Sequence, residues 1–369
     1  MTNELAIREF KPIELDQLPD KPLVSVLIPN YNYAKYIGEA LESLLCQTYS
    51  HFEAIVCDDG STDFSCEVVE VYMQIDSRIK LIRQQNGGVA SAINAAYRVS
   101  CGQIVCLLDA DDLWIPNKLQ KVVNACQTNS QAGFIIHNAI VVDGNKKCIQ
   151  SKPMLKQLAS GWIASSTLDN GGVAADIPPA SALSFRREVA DLIFPINETF
   201  TRNADNLILS LAVLLTIVVP VAETLTLYRL HGKNLSGTLS VTIEDFQKGQ
   251  HIFERVHQEQ KRFLTNVFDR KTADRLKELT FSFAYLQNTY LLTRLKSESN
   301  SSSREVHGQL IAHPQFGKSP IDRWLLRRGE DLPIALFNLL FHFAYGSSWL
   351  KRLVKQVITR LPNASYTHG

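Results

Sequence analysis

No stretch of this sequence is apolar for long enough to suggest a bilayer span. The longest such run, residues 207–219, is broken by Ser210 and Thr216, whereas about 20 apolar residues are needed to cross the hydrocarbon core. The N-terminal MTNELAIREFKPIELDQLPDKP has no apolar segment of the kind a signal peptide carries. An excess of one charge is missing too. Lys and Arg number 38 against 37 Asp and Glu, a net charge of +1, so no whole-chain field points to nucleic acid. The seven cysteines (46, 57, 66, 101, 106, 126 and 148) include no CxxC pair, which argues against a zinc site. Several sit in apolar runs and read as buried, reduced thiols. A cytoplasmic protein is expected.

Two phosphate-binding signatures are also lacking. There is no GxGxxG after the first strand and no GxxxxGK[ST] anywhere. A dinucleotide-binding dehydrogenase and a P-loop NTPase are therefore disfavoured.

What is present is a 369-residue chain, 45% hydrophobic and 20% charged, the composition of two or three folded units. Residues 1–20 read as a loose polar lead-in. Short apolar strands at 23–28, 52–57, 79–82 and 104–108 then alternate with amphipathic helices at 35–45, 63–72 and 88–97. This alternation predicts a parallel sheet with helices on both faces, whose strands need near-continuous apolar runs. A strand at 134–142, a loop-rich stretch at 143–179, a strand at 182–185, a helix at 205–215 and a strand at 218–227 follow. After residue 240 long helical segments take over, with SESNSSSR at 297–304 as a flexible linker.

In an open parallel sheet, ligands bind beyond the carboxyl ends of the strands. Four polar clusters fall there: Pro29-Asn30-Tyr31-Asn32, Asp58-Asp59-Gly60-Ser61-Thr62-Asp63, Asn86-Gly87-Gly88 and Asp109-Ala110-Asp111-Asp112. Asp59-Gly60-Ser61 also makes a good turn and helix cap, and Asn86-Gly87-Gly88 a good turn. The acidic cluster is harder to dismiss. Three carboxylates within four residues repel one another unless a cation sits among them. With no glycine cradle, a divalent metal on these carboxylates would meet the charge of bound phosphates. Trp114, just beyond them, reads as core.

The motifs VSVLIPNYNYAKYIGEALESLLCQTYSHFEAIVCDDGSTD, NGGVASAINAA and CLLDADD, in that order, resemble the GT-A domain of family 2 glycosyltransferases. The resemblance covers roughly residues 21–236. It implies an inverting enzyme that moves a sugar from a nucleotide-sugar, a UDP-sugar first, to a hydroxyl of a glycan, lipid-linked or other acceptor. Surface polysaccharide or glycoconjugate biosynthesis is the implied setting. By the same resemblance Pro29, Tyr31, Asn32, Asp59 and Asn86 hold the donor's nucleoside. Asp109, Ala110 and Asp111 form the DxD motif, which contacts the ribose and a Mn²⁺ or Mg²⁺ ion. Asp205 is the implied base. Tyr228-Arg229-Leu230-His231, with Asn234 and Ser236, resembles the family's YRxHxxNxS segment, which makes His231 a further metal or diphosphate contact.

Two positions depart from the family pattern. Ala204 precedes Asp205 where a Glu is common, and Ile93 precedes Asn94 where many members carry Arg. The resemblance divides the chain into a GT-A domain at 21–240 (nucleotide-binding half 21–116, acceptor half 117–240) and a helical region at 241–369. Residues 332–361 combine an apolar-aromatic stretch with Lys351, Arg352, Lys355 and Arg360. They read either as packing helices or as a segment lying on the inner membrane surface. Processive synthases carry QxxRW, but here Pro320 precedes Arg323-Trp324 where the Gln would stand. Two alternatives compete: a sugar nucleotidyltransferase, and a nucleotide-sugar binding protein without turnover. Were Asp205 only a helix-start charge, the base would be sought at Asp191 or Glu198.

Overall fold

The computed structural model describes residues 8–232, 234, 242–296, 300–316 and 320–345. Its first part alternates β1 (Val24–Asn30), α1 (Ala34–Leu45), β2 (Phe52–Asp58), α2 (Ser65–Ile75), β3 (Ile79–Arg83), α3 (Val89–Arg98) and β4 (Ile104–Leu107). Helix α1 forms because Tyr36, Ile37, Ala40, Leu41 and Leu44 share one face, which buries in the sheet's core. β1 lies between β2 and β4, with β3 outside β2, all parallel. In that register Asn30 sits opposite Asp58. The carboxyl ends of neighbouring strands, and the polar clusters that follow them, therefore share one edge.

Past β4 the sheet becomes mixed. It adds β5 (Leu113–Trp114), β6 (Ala132–Asp143), β7 (Leu183–Arg186) and β8 (Ile217–Leu230). The order is β3-β2-β1-β4-β7-β6-β8-β5. β7 runs antiparallel between β4 and β6, β5 is antiparallel to β8, and β6 pairs with β8 in parallel. The mostly parallel α/β sheet expected from the sequence is thus found, with β7 and β5 as its antiparallel members. β7 is reached by a long excursion from residue 144, so no short crossover helix dictates its direction. Within and around that half lie α4 (Lys118–Thr128), α5 (Ala164–Asp169), α6 (Arg187–Ile193) and α7 (Ala204–Leu215).

The loose lead-in needs correcting. Residues 8–20 run along the body as an extended strap. Phe10 packs on Trp162 and Phe268, with ring centroids 5.3 and 5.1 Å away. The Ile13 N–H donates to the Leu215 carbonyl at 2.8 Å, and the Asp16 N–H to Glu188 at 2.8 Å. Buried Arg186 reaches the Asp16 carbonyl. Phe10 and Leu18, spaced among charged residues, supply apolar contacts that hold it.

The chain forms two compact units, one of residues 1–236 and 255–277, the other of 237–254 and 278–369. The long helix α8 (Ile243–Val267) contributes to both, and α9 (Arg270–Ala273) belongs to the first. The second unit contains α10 (Phe283–Leu295), α11 (Asn300–Ala312), α12 (Pro320–Arg328) and α13 (Ile334–Tyr345). Leu286, Tyr290, Leu310, Leu325, Phe337 and Phe341 form its core. The expected linker at 297–304 is overturned where it is described, because residues 300–304 open α11. There the buried Ser303 hydroxyl donates to Glu330 and Leu310 packs inside. No helix of the described residues is long and apolar enough to cross a membrane. Lys351, Arg352, Lys355 and Arg360 lie outside the described residues.

Candidate active site

The first two loops are stitched by their own side chains. Asn30 Nδ2 donates to Asp58 Oδ2 at 2.7 Å, and Asp58 Oδ1 accepts the Ser61 N–H at 2.9 Å. These donors hold the Asp58 carboxyl below the usual carboxylate range despite its burial. Asn32 takes a left-handed conformation (φ 58°). It donates its N–H to Ser61 Oγ and accepts the Thr62 N–H on Oδ1, both at 2.8 Å.

Buried Asp59 fastens the third loop. Its Oδ1 accepts from Gln84 Nε2 at 2.7 Å and from the Gly87 N–H at 2.8 Å, and its Oδ2 accepts the Gly88 N–H at 2.8 Å. Asn86 Nδ2 returns a bond to the Asp59 carbonyl at 3.0 Å. Gly88 has φ 88°, and a Cβ there would stand 2.6 Å from Thr201 Cα. Only glycine suits both the backbone conformation and the close approach. Asn86-Gly87-Gly88 is thus a wall seated against residue 201, a role beyond that of a turn.

The acidic loop places one carboxylate oxygen from each of Asp109, Asp111 and Asp112 within 4.8 Å of one another. Burial, followed by the charges of Asp112, Asp111 and Asp205, pushes the Asp109 pKa well above the carboxylate range. Burial and the Asp111 charge do the same to Asp112. Asp111 Oδ2 lies 2.9 Å from His231 Nε2 and accepts from Asn234 Nδ2 at 3.1 Å. The His231 ring stacks on Tyr36 with centroids 4.3 Å apart, and the His231 backbone N–H donates to Asn234 Oδ1 at 2.8 Å. Buried Arg229 reaches Glu39 at 2.5 Å and fixes the strand that carries His231.

Asp205 stands in the first turn of α7, just after Asn203 (φ 55°). Burial raises its pKa, opposed by backbone N–H donors including Asn206. It faces the same cavity as the acidic loop, a space of about 540 Å³. Pro29, Tyr31, Asn32, Asp59, Asn86, Asp109, Ala110, Asp111 and Asp205 all line that cavity. His231 reaches it through Asp111, and Ser236 lies outside the described residues. Asp191 and Glu198 do not line it. They are engaged instead with the Tyr97 hydroxyl and with Asn94 Nδ2. Both departing positions, Ile93 and Ala204, are on the cavity wall.

Several contributors had not been singled out: Tyr33, Thr201 and Ala180 on the wall, and Ser181 behind it. Ser181 had no legible signal, since it lies at the end of a loop-rich stretch. Tyr33 could have been found as the residue continuing the first polar cluster into α1.

Residues 25–191 match the family described as Glycosyl transferase family 2. An uncharacterized glycosyltransferase of Nostoc sp. (strain PCC 7120) is 36% identical over 321 residues, which cover 86% of this chain and 94% of that protein. The chain belongs to the family 2 glycosyltransferases. As a glycosyltransferase it is also similar to the hyaluronan synthase of Pasteurella multocida, at 39% identity over 113 residues, or 31% of this chain and 12% of that much longer protein. In fold it resembles S. aureus TarS 1-349 in complex with UDP, with a TM-score of 0.52 at 18% identity over 86% of this chain and 89% of that one. The sheet and helices are those of a GT-A glycosyltransferase, followed here by a helical C-terminal region.

Proposed function

We propose that this glycosyltransferase uses a nucleotide-sugar donor, a UDP-sugar first. The sugar passes with inversion to a hydroxyl of a glycan or lipid-linked acceptor, in assembly of a surface polysaccharide or glycoconjugate. One observation carries this reading. A single cavity is faced by an acidic loop suited to a metal-bound diphosphate and, separately, by a lone carboxylate, Asp205.

The donor set fits a hard divalent cation such as Mn²⁺ or Mg²⁺. Asp109 and Asp111 offer carboxylate oxygens, and an imidazole nitrogen lies beside Asp111. Asp109 and Asp111, with His231, would hold the ion. Bound there, it would supply Lewis-acid neutralisation of the charge on the departing diphosphate. Pro29, Tyr31, Asn32, Asp59 and Asn86 form the wall that takes the nucleoside. Asp205 accepts the proton of the attacking hydroxyl and favours the positive charge growing on the sugar ring. Its raised pKa brings it nearer working pH, which suits a general base. Ala204 removes one carboxylate beside it, so acceptor choice rests on other groups of that wall.

Two variants test the reading, each assayed for transfer and for calorimetric UDP binding in Mn²⁺ and in EDTA. Asp111→Asn should lose metal-dependent UDP binding and transfer together, whereas Asp205→Asn should lose transfer alone. Equal UDP affinity in Mn²⁺ and EDTA would defeat the metal assignment. A nucleotide-sugar binding protein would show no donor turnover at all.

Peripheral contact with an anionic membrane is a separate part of the proposal. It is supported by exposed Leu336 and Leu339 on α13, next to the basic segment that follows in sequence. The protein should co-sediment with anionic vesicles at low salt and release as salt rises.

A further inference from the structure

Ser181 sits fully buried in the short 3-10 turn Ala180–Ala182, directly behind the acidic loop. Its hydroxyl does two things at once. It accepts the Asp109 N–H at 3.0 Å and donates to Asp112 Oδ2 at 2.6 Å. The other Asp112 oxygen accepts the Arg229 N–H from β8 at 2.8 Å. The Ser181 carbonyl is held as well, by Trp114 Nε1 at 2.7 Å and Thr226 Oγ1 at 3.1 Å. One serine thus grips both ends of the Asp109–Asp112 loop, while Asp112 ties that loop to the strand leading to His231.

We propose that Ser181 and Asp112 are a positioning pair, which presets the Asp109 and Asp111 carboxylates for a divalent cation carrying a nucleoside diphosphate. Asp112 is not itself a ligand. The three acidic side chains are close enough to form one site, but their surroundings differ. Asp112 is 1% exposed, and each of its oxygens already accepts a hydrogen bond from a fixed donor. Those two bonds tie its carboxylate to Ser181 and β8, so drawing it to a cation in the cavity would strain both of them. Asp109 and Asp111 line the cavity, whereas Asp112 does not. The Asp109 backbone, locked by Ser181, fixes where that carboxylate can point, and the Arg229 link keeps His231 in register with Asp111. Groups that orient metal ligands in this way govern affinity although they never touch the ion.

This inference rests on the metal reading above, and the experiment separates the two. Calorimetric UDP titrations of the full chain in EDTA and at graded Mn²⁺, with free Mn²⁺ followed by electron paramagnetic resonance, yield the Mn²⁺ concentration that half-saturates UDP binding. In Ser181→Ala that concentration should rise about tenfold, the scale of losing a group that orients a ligand, while UDP affinity in EDTA stays the same. Asp112→Asn should shift it by a similar amount. The double variant should lose little more than either single one, because each residue acts through the other. Asp111→Asn should lose the metal dependence altogether. If melting curves show that Ser181→Ala does not fold, Thr226→Val replaces it. That variant nearly keeps the volume, removes one of the two donors to the Ser181 carbonyl while Trp114 Nε1 remains, and should give a smaller shift in the same direction. A metal-dependent wild type with an unmoved Ser181→Ala (or Thr226→Val) overturns the pair, as does an Asp112→Asn that behaves like Asp111→Asn. A wild type that binds UDP equally with and without Mn²⁺ overturns the metal reading, and the pair falls with it.

Discussion

The two halves of the sheet build the cavity by different means. In β1 to β4 every strand is parallel and each polar loop follows its strand directly, so Asn32, Asp59, Asn86 and Asp109 reach the same edge through local connections. In β5 to β8 the strands run both ways. There Ser181, Asp205 and His231 come from a 3-10 turn, a helix start and a strand end that are distant in sequence. The first half presents groups to a ligand. The second half supplies one further carboxylate, Asp205, on the cavity wall and the hydrogen bonds that keep the acidic loop in shape.

The largest effect expected from breaking this comparison is at Asp111, where the halves meet through His231 and Asn234. Asp111→Asn should abolish transfer and metal-dependent UDP binding, read by product formation and calorimetry. Next comes Asp205, from the second half alone. Asp205→Asn should lower transfer by ~10²–10⁴-fold, the usual contribution of a general base, and leave donor affinity nearly unchanged. Because burial raises its pKa, protonation should inactivate the enzyme at a higher pH than an ordinary carboxylate would. The acid limb of kcat/KM should therefore lie above the usual carboxylate range.

A third, smaller effect tests the nucleotide wall. Gly88→Ala must adopt φ 88° with ψ 170° and push into the Thr201 backbone, a strain of about 1–3 kcal/mol. The melting temperature should drop with that strain, and UDP affinity should fall several-fold as the loop shifts off Thr201 to relieve it. Unchanged UDP affinity would mean that the Gly88–Thr201 seat is not part of the nucleoside wall.

The smallest expected effect concerns the second half's interior. His137 is buried on β6, with Nδ1 against the Asn138 carbonyl and, among the described residues, no hydrogen-bond partner for Nε2. Burial, then the nearby Lys118 charge, pulls its pKa down to about 3. The unfolded chain protonates this histidine below about pH 6.5, but the folded chain keeps it neutral. Stability is therefore intact above that pH and declines as acid is added, by about 1.4 kcal/mol per pH unit. Denaturant unfolding of wild type and His137→Gln from pH 7 to 5 should show the wild type losing more, so the two curves converge.

How much was legible follows the same division. The strands of the first half could be placed within a few residues, because parallel strands covered on both faces require apolar runs. The clustering of their loops followed from the rule for carboxyl ends. The extended strap at 8–20 was not legible, since its few apolar residues carry no period and the strap needs Trp162, Phe268 and the Leu215 carbonyl as partners. The start of α11 was hidden for a related reason. A serine-rich segment reads as linker until its partner, Glu330, is in place.

Composition, alternation and the four ordered motifs determined the α/β class, the edge that carries the cavity and the carboxylates along it, because those properties depend on near neighbours in the chain. The direction of β7 was decided only in three dimensions, as was the meeting of Ser181 with Asp109 and Asp112 across about 70 residues of sequence. So was the difference between Asp111, open to the cavity, and Asp112, closed off by two donors. Two adjacent aspartates look alike in a sequence. What separates them is which oxygen finds a hydrogen-bond donor once distant strands have paired, and that depends on register and burial, which no local pattern encodes.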